Sequence, residues 1–241
     1  MNFIPLLSTV VTFIFAVAVF ARWRHRRKKH LLPWGIGLVL YGLGTLCEVL
    51  LGVTFSPWIL KLWYLTGAML TAAWLGQGTV YLLVRRPRVA DTLMIILAVV
   101  SFVALILVAL APVDAVAAAA YDLSRPVSEQ YQAILGRSGP IILLTILLNI
   151  YGSITLVGGA LYSAYLFWRK RVLANRMIGN ILIAAGALMP AMAGGFVRAG
   201  LVDWLYVSEL LGAILMFAGF MLATAGKPAV RQATPAADPQ P

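Results

Sequence analysis

Long apolar runs alternate with short polar segments along almost the whole chain. A helix that crosses a bilayer needs about 20 apolar residues, and the chain contains several runs of that length. They predict an all-α, polytopic membrane protein in which residues 1–226 form one bundle of seven transmembrane helices. The predicted spans are 3–21, 31–53, 57–84, 92–111, 140–168, 177–197 and 203–224.

The composition agrees with a membrane protein. Of the 241 residues, 62% are hydrophobic and 11% are charged, whereas soluble domains usually carry about 25% charged residues. The net charge of +11 would suggest a nucleic-acid partner in a soluble protein, but here the cations lie in short loops beside apolar runs. We therefore expect them to contact anionic lipid headgroups, and we expect no nucleic-acid partner.

The basic segment 22–30, RWRHRRKKH, predicts the orientation of the bundle. Lys and Arg beside a membrane span are retained on the cytoplasmic side. If this segment is cytoplasmic, alternation places fifteen of the nineteen cations on that side and leaves Lys61, Arg125, Arg137 and Arg198 on the other. We predict a multi-pass protein of the cytoplasmic membrane with its N-terminus outside and its C-terminus in the cytoplasm. Because these cations follow the first apolar run, we expect a retained span and not a cleaved signal peptide.

Two segments lie outside the predicted spans. In the long connection 112–139, Ser128 precedes the stretch EQYQAIL, which predicts a short helix that lies either flat on the surface or over the mouth of the bundle as a lid. The tail 227–241 is rich in Pro, Ala and polar residues and is predicted to be a disordered cytoplasmic segment.

Ionisable residues inside the spans are the candidates for function, because a charge within a bilayer is costly. Glu48, Lys61 and Glu209 all lie roughly 5–10 Å below the predicted outer surface, at a rise of about 1.5 Å per residue. They indicate a polar pocket in the outer half of the bundle. In the alternative interpretation, Lys61 and Glu48 extend to the outer headgroups and Glu209 forms an ion pair between helices. The candidate ligand-binding residues are Glu48, Lys61, Tyr64, Asn149, Tyr206 and Glu209.

The positions of His and Lys argue against several kinds of chemistry. Both histidines, His25 and His30, lie in the basic segment, whereas zinc-dependent seven-helix hydrolases and haem proteins need histidines within the membrane. The last span contains no lysine, so it offers no nucleophile for a retinal Schiff base. We expect no retinal Schiff base, haem, zinc or other metal, we assign no catalytic residue, and an enzyme is the less favoured class.

A loose internal repeat suggests two related halves. WYLTGAMLTAA at 63–73 recurs as SELLGAILMFA at 208–218, each after a Gly-rich helix. The repeat indicates a 3+1+3 organisation, with spans one to three and five to seven flanking span four, as in several transporter and rhodopsin-like folds. Small residues also recur every fourth position, which predicts close helix packing; these rows are Ala68, Ala72 and Gly76, and Ala187, Ala191 and Gly195.

The segments GAMLTAAWLGQGTVYLL at 67–83 and GNILIAAGALMPAM at 179–192 resemble those of uncharacterised bacterial seven-helix membrane proteins. The layout is also similar to the seven-helix sensing region of some bacterial histidine kinases, without a kinase domain, and to rhodopsin-like bundles, without the retinal lysine. These resemblances imply a seven-helix fold, and any function they imply is analogy.

Three functions remain open at this point. The leading hypothesis is a sensor or receptor that binds a small molecule or lipid in the outer-half pocket and signals through a membrane or cytoplasmic protein partner. The alternative is a secondary transporter or permease with the 3+1+3 organisation. The third is a structural or assembly subunit of a membrane complex, in which the polar positions would tolerate substitution.

Overall fold

The protein is helical throughout the part of the chain that its computed structural model describes, residues 3–84, 86–169, 174–198 and 203–224. These residues contain no β-strand, which confirms the all-α class; the predicted tail 227–241 lies outside them. The helices are α1 (Ile4–Arg26), α2 (Leu31–Leu51), α3 (Pro57–Leu83), α4 (Pro87–Leu110), α5 (Ala115–Ala119), α6 (Val127–Ile134), α7 (Gly139–Arg169), α8 (Ala174–Arg198) and α9 (Asp203–Thr224).

Six of these helices are long and apolar enough to cross a membrane, namely α1, α2, α3, α4, α7 and α9. Each coincides with one of the predicted spans. The 25-residue helix α8 coincides with the remaining one, 177–197. The chain is thus a membrane-embedded helical protein.

The ends of the helices follow local sequence. Pro57 and Pro87 begin α3 and α4, because proline has the φ angle of a first helical turn and needs no hydrogen-bond acceptor there. Helix α4 therefore begins five residues before the predicted span. Helix α1 continues past the predicted end at 21 through Arg24, His25 and Arg26, since cations in a last turn interact favourably with the helix dipole. It ends at Arg27, which has a left-handed φ of 47°.

Six long helices form a closed ring in which each one packs on the next in the order α1, α2, α3, α7, α8, α9 and back to α1. Helix α4 lies outside this ring against α3 and α7. Its buried residues include Ala90, Leu97 and Ala104, spaced seven apart, so only a narrow stripe faces the bundle. Around the ring, α1–α3 are followed by α7–α9, and these are followed again by α1–α3. The two groups of three helices therefore hold equivalent places in the ring.

Glycines bring the helices together at equivalent places in the two halves. A Cβ on Gly44 of α2 would lie 2.8 Å from the Cα of Gly67 on α3. A Cβ on Gly186 of α8 would lie 2.7 Å from the carbonyl oxygen of Gly212 on α9. Gly67 and Gly212 occupy the same position in the two repeated segments, so the repeat corresponds to a shared packing contact.

Two turns of the ring are π-helical, Tyr64–Leu70 in α3 and Ile154–Gly158 in α7. The π-helical turn of α3 packs against α7, and the π-helical turn of α7 packs against α3. The small-residue row of α3 mediates the contact, because a Cβ on Gly152 would lie 2.3 Å from the carbonyl carbon of Ala72 and a Cβ on Gly76 would meet Thr155. Single π-helical turns often occur at functional sites.

Candidate functional site

A cavity of about 380 Å³ lies inside the ring. It occupies the half of the bundle away from the basic segment 22–30, and we call that half the loop end because it carries α5, α6 and their connections. Side chains and backbone from α2, α3, α6, α7, α8 and α9 line the cavity. Its size lies within the range of about 300–1,000 Å³ that is typical of small-molecule sites.

Two carboxyl groups face each other across this cavity. Glu48 of α2 is only 9% exposed, and its Oε1 accepts a 2.9 Å hydrogen bond from Nε1 of Trp63. Glu209, on α9, lines the same cavity, and its carboxyl group neighbours that of Glu48. Both Oε2 atoms are buried, and neither receives a hydrogen bond from a donor in the described part of the chain. The site therefore has unused acceptor capacity.

Asn149 also lines the cavity and braces the π-helical turn of α3. Its Nδ2 donates to the carbonyl oxygen of Ala68 at 2.8 Å and to that of Thr145 at 2.9 Å. The hydroxyl of Tyr41, another lining residue, donates at 2.8 Å to the backbone carbonyl of Glu209. These bonds fix α7 to α3 and α2 to α9 around the two carboxyl groups.

The other three candidates lie elsewhere. Lys61 extends away from the glutamates, with Nζ donating to the carbonyl oxygen of Ala109 at 2.8 Å and lying 4.9 Å from the ring centre of Trp58. Lys61 thus contributes to the contact between α3 and α4. Tyr64 is buried and its hydroxyl pairs with that of Thr145 at 2.9 Å. Tyr206 is half-buried, and like Lys61 and Tyr64 it is not among the residues that line the cavity.

Sequence reasoning missed several polar residues of the cavity, among them Trp63 and Ser128. Trp63 is only 7% exposed, and its indole N–H donates to the carboxyl group of Glu48. Its spacing of four residues from Gly67 puts both on one helix face, but the sequence does not show that this face lines the cavity. Ser128 lines the cavity with a buried hydroxyl that has no partner within the described ranges.

Helix α6 lies over the mouth of the cavity. Apart from Ser128, it contributes Tyr131, whose ring centre is 5.2 Å from that of Trp63 and 5.7 Å from that of Tyr64. Val127 and Ile134 are buried at its two ends. Of the two positions considered for this helix, the structure shows the one over the bundle.

A second cavity, of about 410 Å³, lies at the opposite end of the ring, which we call the basic end. A narrow space, which we call the constriction, lies between the two cavities. Leu75 and Met216 line both the first cavity and the constriction. Trp34 and Phe220 line both the constriction and the second cavity. The three spaces therefore follow the axis of the ring. The residues of the constriction are Phe15, Trp34, Leu38, Leu75, Leu156, Ile183, Met216 and Phe220.

Within the described ranges, no group of three or more His, Cys, Asp or Glu side chains could hold a metal ion.

A scan of protein-family models finds none that matches the chain, and no curated protein or solved structure matches it either.

Proposed function

We propose that the protein is a seven-span receptor-type membrane protein that binds a small organic cation, an amine, in the cavity at the loop end. In this proposal the N-terminus is outside, the basic end faces the cytoplasm, and the cavity lies in the outer half of the cytoplasmic membrane. The excess of cations in the basic loops supports this orientation. A protein partner would carry the signal.

The observation that carries the proposal is the pair formed by Glu48 and Glu209. Two carboxyl groups can share a hydrogen bond only when at least one holds a proton. No Lys, Arg or His is among the described residues that line the cavity, so this part of the chain supplies no counter-charge there. An ammonium group has only donors, and placed between the two Oε2 atoms it would use both free acceptors and supply a positive charge.

The rest of the lining indicates a ligand with a small apolar body. Tyr41 and Trp63 provide aromatic surface beside the carboxyl groups, and Leu156, Leu205 and Met216 provide aliphatic surface. Aromatic faces also attract a cation. Because α6 covers the mouth, we expect a ligand to enter by displacement of this short helix.

Three probes of similar shape and different charge test the proposal. These are 2-phenylethylamine, 2-phenylethanol and 3-phenylpropionate, added to the full-length protein in detergent while its thermal unfolding is followed. A molecule that binds only the folded state raises the unfolding midpoint. We expect a rise with the amine alone, abolished in Glu48→Gln and Glu209→Gln and retained in Glu129→Gln, which removes an acidic group of α6 that pairs with Arg125.

Two outcomes would overturn the proposal. Equal shifts with all three probes would mean that the cavity recognises shape without charge. The second outcome is that no probe shifts the unfolding midpoint and that Glu48→Gln leaves stability unchanged. This result would favour the structural-subunit interpretation.

A transporter is the second candidate, and the cavity at the basic end supports it. Two cavities on one axis, one towards each end of the ring, would give a substrate a path from either side of a membrane to a central site, as alternating access needs. The exchangeable cyclic order of α1–α3 and α7–α9 also supports two related halves. Exchange of the carboxyl proton for an amine would then couple amine movement to a proton.

Proteoliposomes separate the two candidates. With a pH-sensitive dye inside the vesicles, a transporter would produce an amine-dependent proton flux that is lost in Glu209→Gln. A receptor would bind the amine in the same preparation and produce no flux above that of protein-free vesicles.

A further inference from the structure

The cavity at the basic end is lined by cations from two distant parts of the chain. Arg22 and Arg26 come from α1, Lys28 from the connection that follows, and Arg176 from α8. None of the described residues that line this cavity is an aspartate or glutamate. Four positive charges therefore converge on one concave space.

The acidic side chain near the start of α4 is already paired. Asp91 accepts hydrogen bonds from Nζ of Lys29 at 2.9 Å and from the hydroxyl of Tyr81 at 2.9 Å, and Lys29 does not line the cavity. The four cations consequently have no carboxylate partner among the described residues. Among the described residues nothing supplies their counter-charge, and a bound anion would do so.

Arg22 is held in position at the inner wall of this cavity. Its guanidinium donates to the hydroxyl of Thr224 and lies 5.1 Å from the ring centre of Phe220. A guanidinium has five N–H donors in a fixed planar arrangement, so most of its donors remain available. This fixed planar arrangement of donors matches the geometry of the oxygens of a phosphate group.

The deeper lining of the cavity is apolar. Trp34, Ile183 and Phe220 lie on the side of the constriction, which they also line, while Arg26, Lys28 and Arg176 are exposed. A site that is basic at one end and apolar at the other fits an anion attached to an apolar body. Basic pockets between helices at the cytoplasmic face of a membrane are a common form of phospholipid headgroup site.

We propose that the cavity at the basic end binds a phosphate group, with Arg22, Arg26, Lys28 and Arg176 as its cationic ligands. The phosphate belongs either to an anionic phospholipid or to a soluble phosphate ester. This site is separate from the amine site at the loop end and does not depend on it.

Native mass spectrometry of the full-length protein in mild detergent tests this proposal. The probes are dioleoyl phosphatidic acid and dioleoyl phosphatidylcholine, which have the same chains and differ in headgroup charge. We expect retention of phosphatidic acid at least tenfold above that of phosphatidylcholine. In Arg176→Gln and in Arg26→Gln the retention of phosphatidic acid should fall about fivefold. This is the approximate contribution of one Lys or Arg to binding at an anionic surface.

Arg24→Gln is the matched control. Arg24 belongs to the same basic segment and is exposed, but it does not line the cavity, so its substitution removes the same charge and should change retention less than twofold. An equal loss in Arg24→Gln and Arg176→Gln would overturn the site in favour of a diffuse surface charge. Equal retention of the two lipids, with no binding of glycerol 3-phosphate by calorimetry, would overturn it as well.

Glycerol 3-phosphate also distinguishes the two sources of phosphate. If it displaces phosphatidic acid at millimolar concentration and its own binding is weakened in Arg176→Gln, the site recognises the phosphate group alone and a soluble ester is the ligand. If phosphatidic acid stays bound and remains sensitive to Arg176→Gln, the apolar chains contribute and the ligand is a lipid.

Discussion

The indole Nε1 of Trp63 donates a 2.9 Å hydrogen bond to Oε1 of Glu48, and both side chains are more than nine-tenths buried. The bond joins α3 to α2 beside the close contact of Gly44 and Gly67. It occupies one carboxyl oxygen and leaves the other facing Glu209 in the cavity. Trp63 is therefore a positioning residue for the acidic pair.

Trp63→Phe should destabilise the protein by about 1–3 kcal/mol, because it leaves a buried acceptor without its donor. The matched control is Trp58→Phe, since Trp58 lies in the first turn of the same helix and is 68% exposed. We expect the control to change stability by less than about 0.5 kcal/mol. The measurement is unfolding of the purified protein in mixed micelles, followed by circular dichroism. Equal losses in the two variants would show that Trp63 contributes only aromatic packing.

Gly152→Ala should prevent the close approach of α7 to α3. The added Cβ would lie 2.3 Å from the carbonyl carbon of Ala72, and a backbone atom cannot move aside as a flexible side chain can, so we expect a loss of about 1–3 kcal/mol. Gly158→Ala is the control, because a Cβ there meets nothing within 4 Å. A gain of about 0.4–1 kcal/mol is expected for this control from the reduced entropy of the unfolded chain. Thermal unfolding of both variants checks the difference in sign.

Lys61→Met should leave amine binding at the loop end unchanged within about twofold. Its ammonium bonds to the carbonyl oxygen of Ala109 on α4, on the side of α3 away from the cavity, and a charge near the surface contributes little to a site behind a helix. The measurement is the midpoint shift with 2-phenylethylamine in the variant and in the unmodified protein. A strengthened shift, as expected when a competing cation is removed, would show that Lys61 reaches the acidic pair.

Sequence patterns were enough to place the helices, because burial in a bilayer requires apolar runs whose length is fixed by its thickness. The same cost of burying charge identified Glu48 and Glu209 as candidates. The facing direction of each helix could not be obtained in this way. Lys61 and Trp63 are two residues apart, about 200° around a helix, so only one of them can face the cavity, and composition does not decide which one.

The π-helical turn Tyr64–Leu70 adds to this difficulty. It widens the helix by an additional residue per turn, which changes the direction of every side chain that follows. Nothing in the residues of this turn predicts it. The row of Ala72 and Gly76 nevertheless reaches α7 as expected, because small residues permit close packing wherever the helix brings them.

The stability of the basic end should fall in mild acid because of His30. Burial, assisted by the positive charge of Lys28, lowers the pKa of His30 from its ordinary 6.5 to about 4. The unfolded chain therefore takes up a proton near pH 6.5, while the folded protein takes it up only near pH 4. Stability is complete above pH 6.5 and declines as the pH falls toward 4, since over that interval the unfolded state binds more protons.

His30→Gln should flatten this decline, because a neutral amide has no proton to gain. His25→Gln is the control, since His25 is exposed in the same basic segment, and it should keep the slope of the unmodified protein. Thermal midpoints between pH 7.5 and 4.5 measure the effect. The plot of midpoint against pH for His30→Gln should approach or cross that of the unmodified protein toward the acidic end. Parallel plots for all three proteins would mean that the acid sensitivity arises at other groups. Arg22, Arg26 and Arg176 line the same cavity as His30, and a phosphate bound there would oppose their charges and reduce the slope in the unmodified protein.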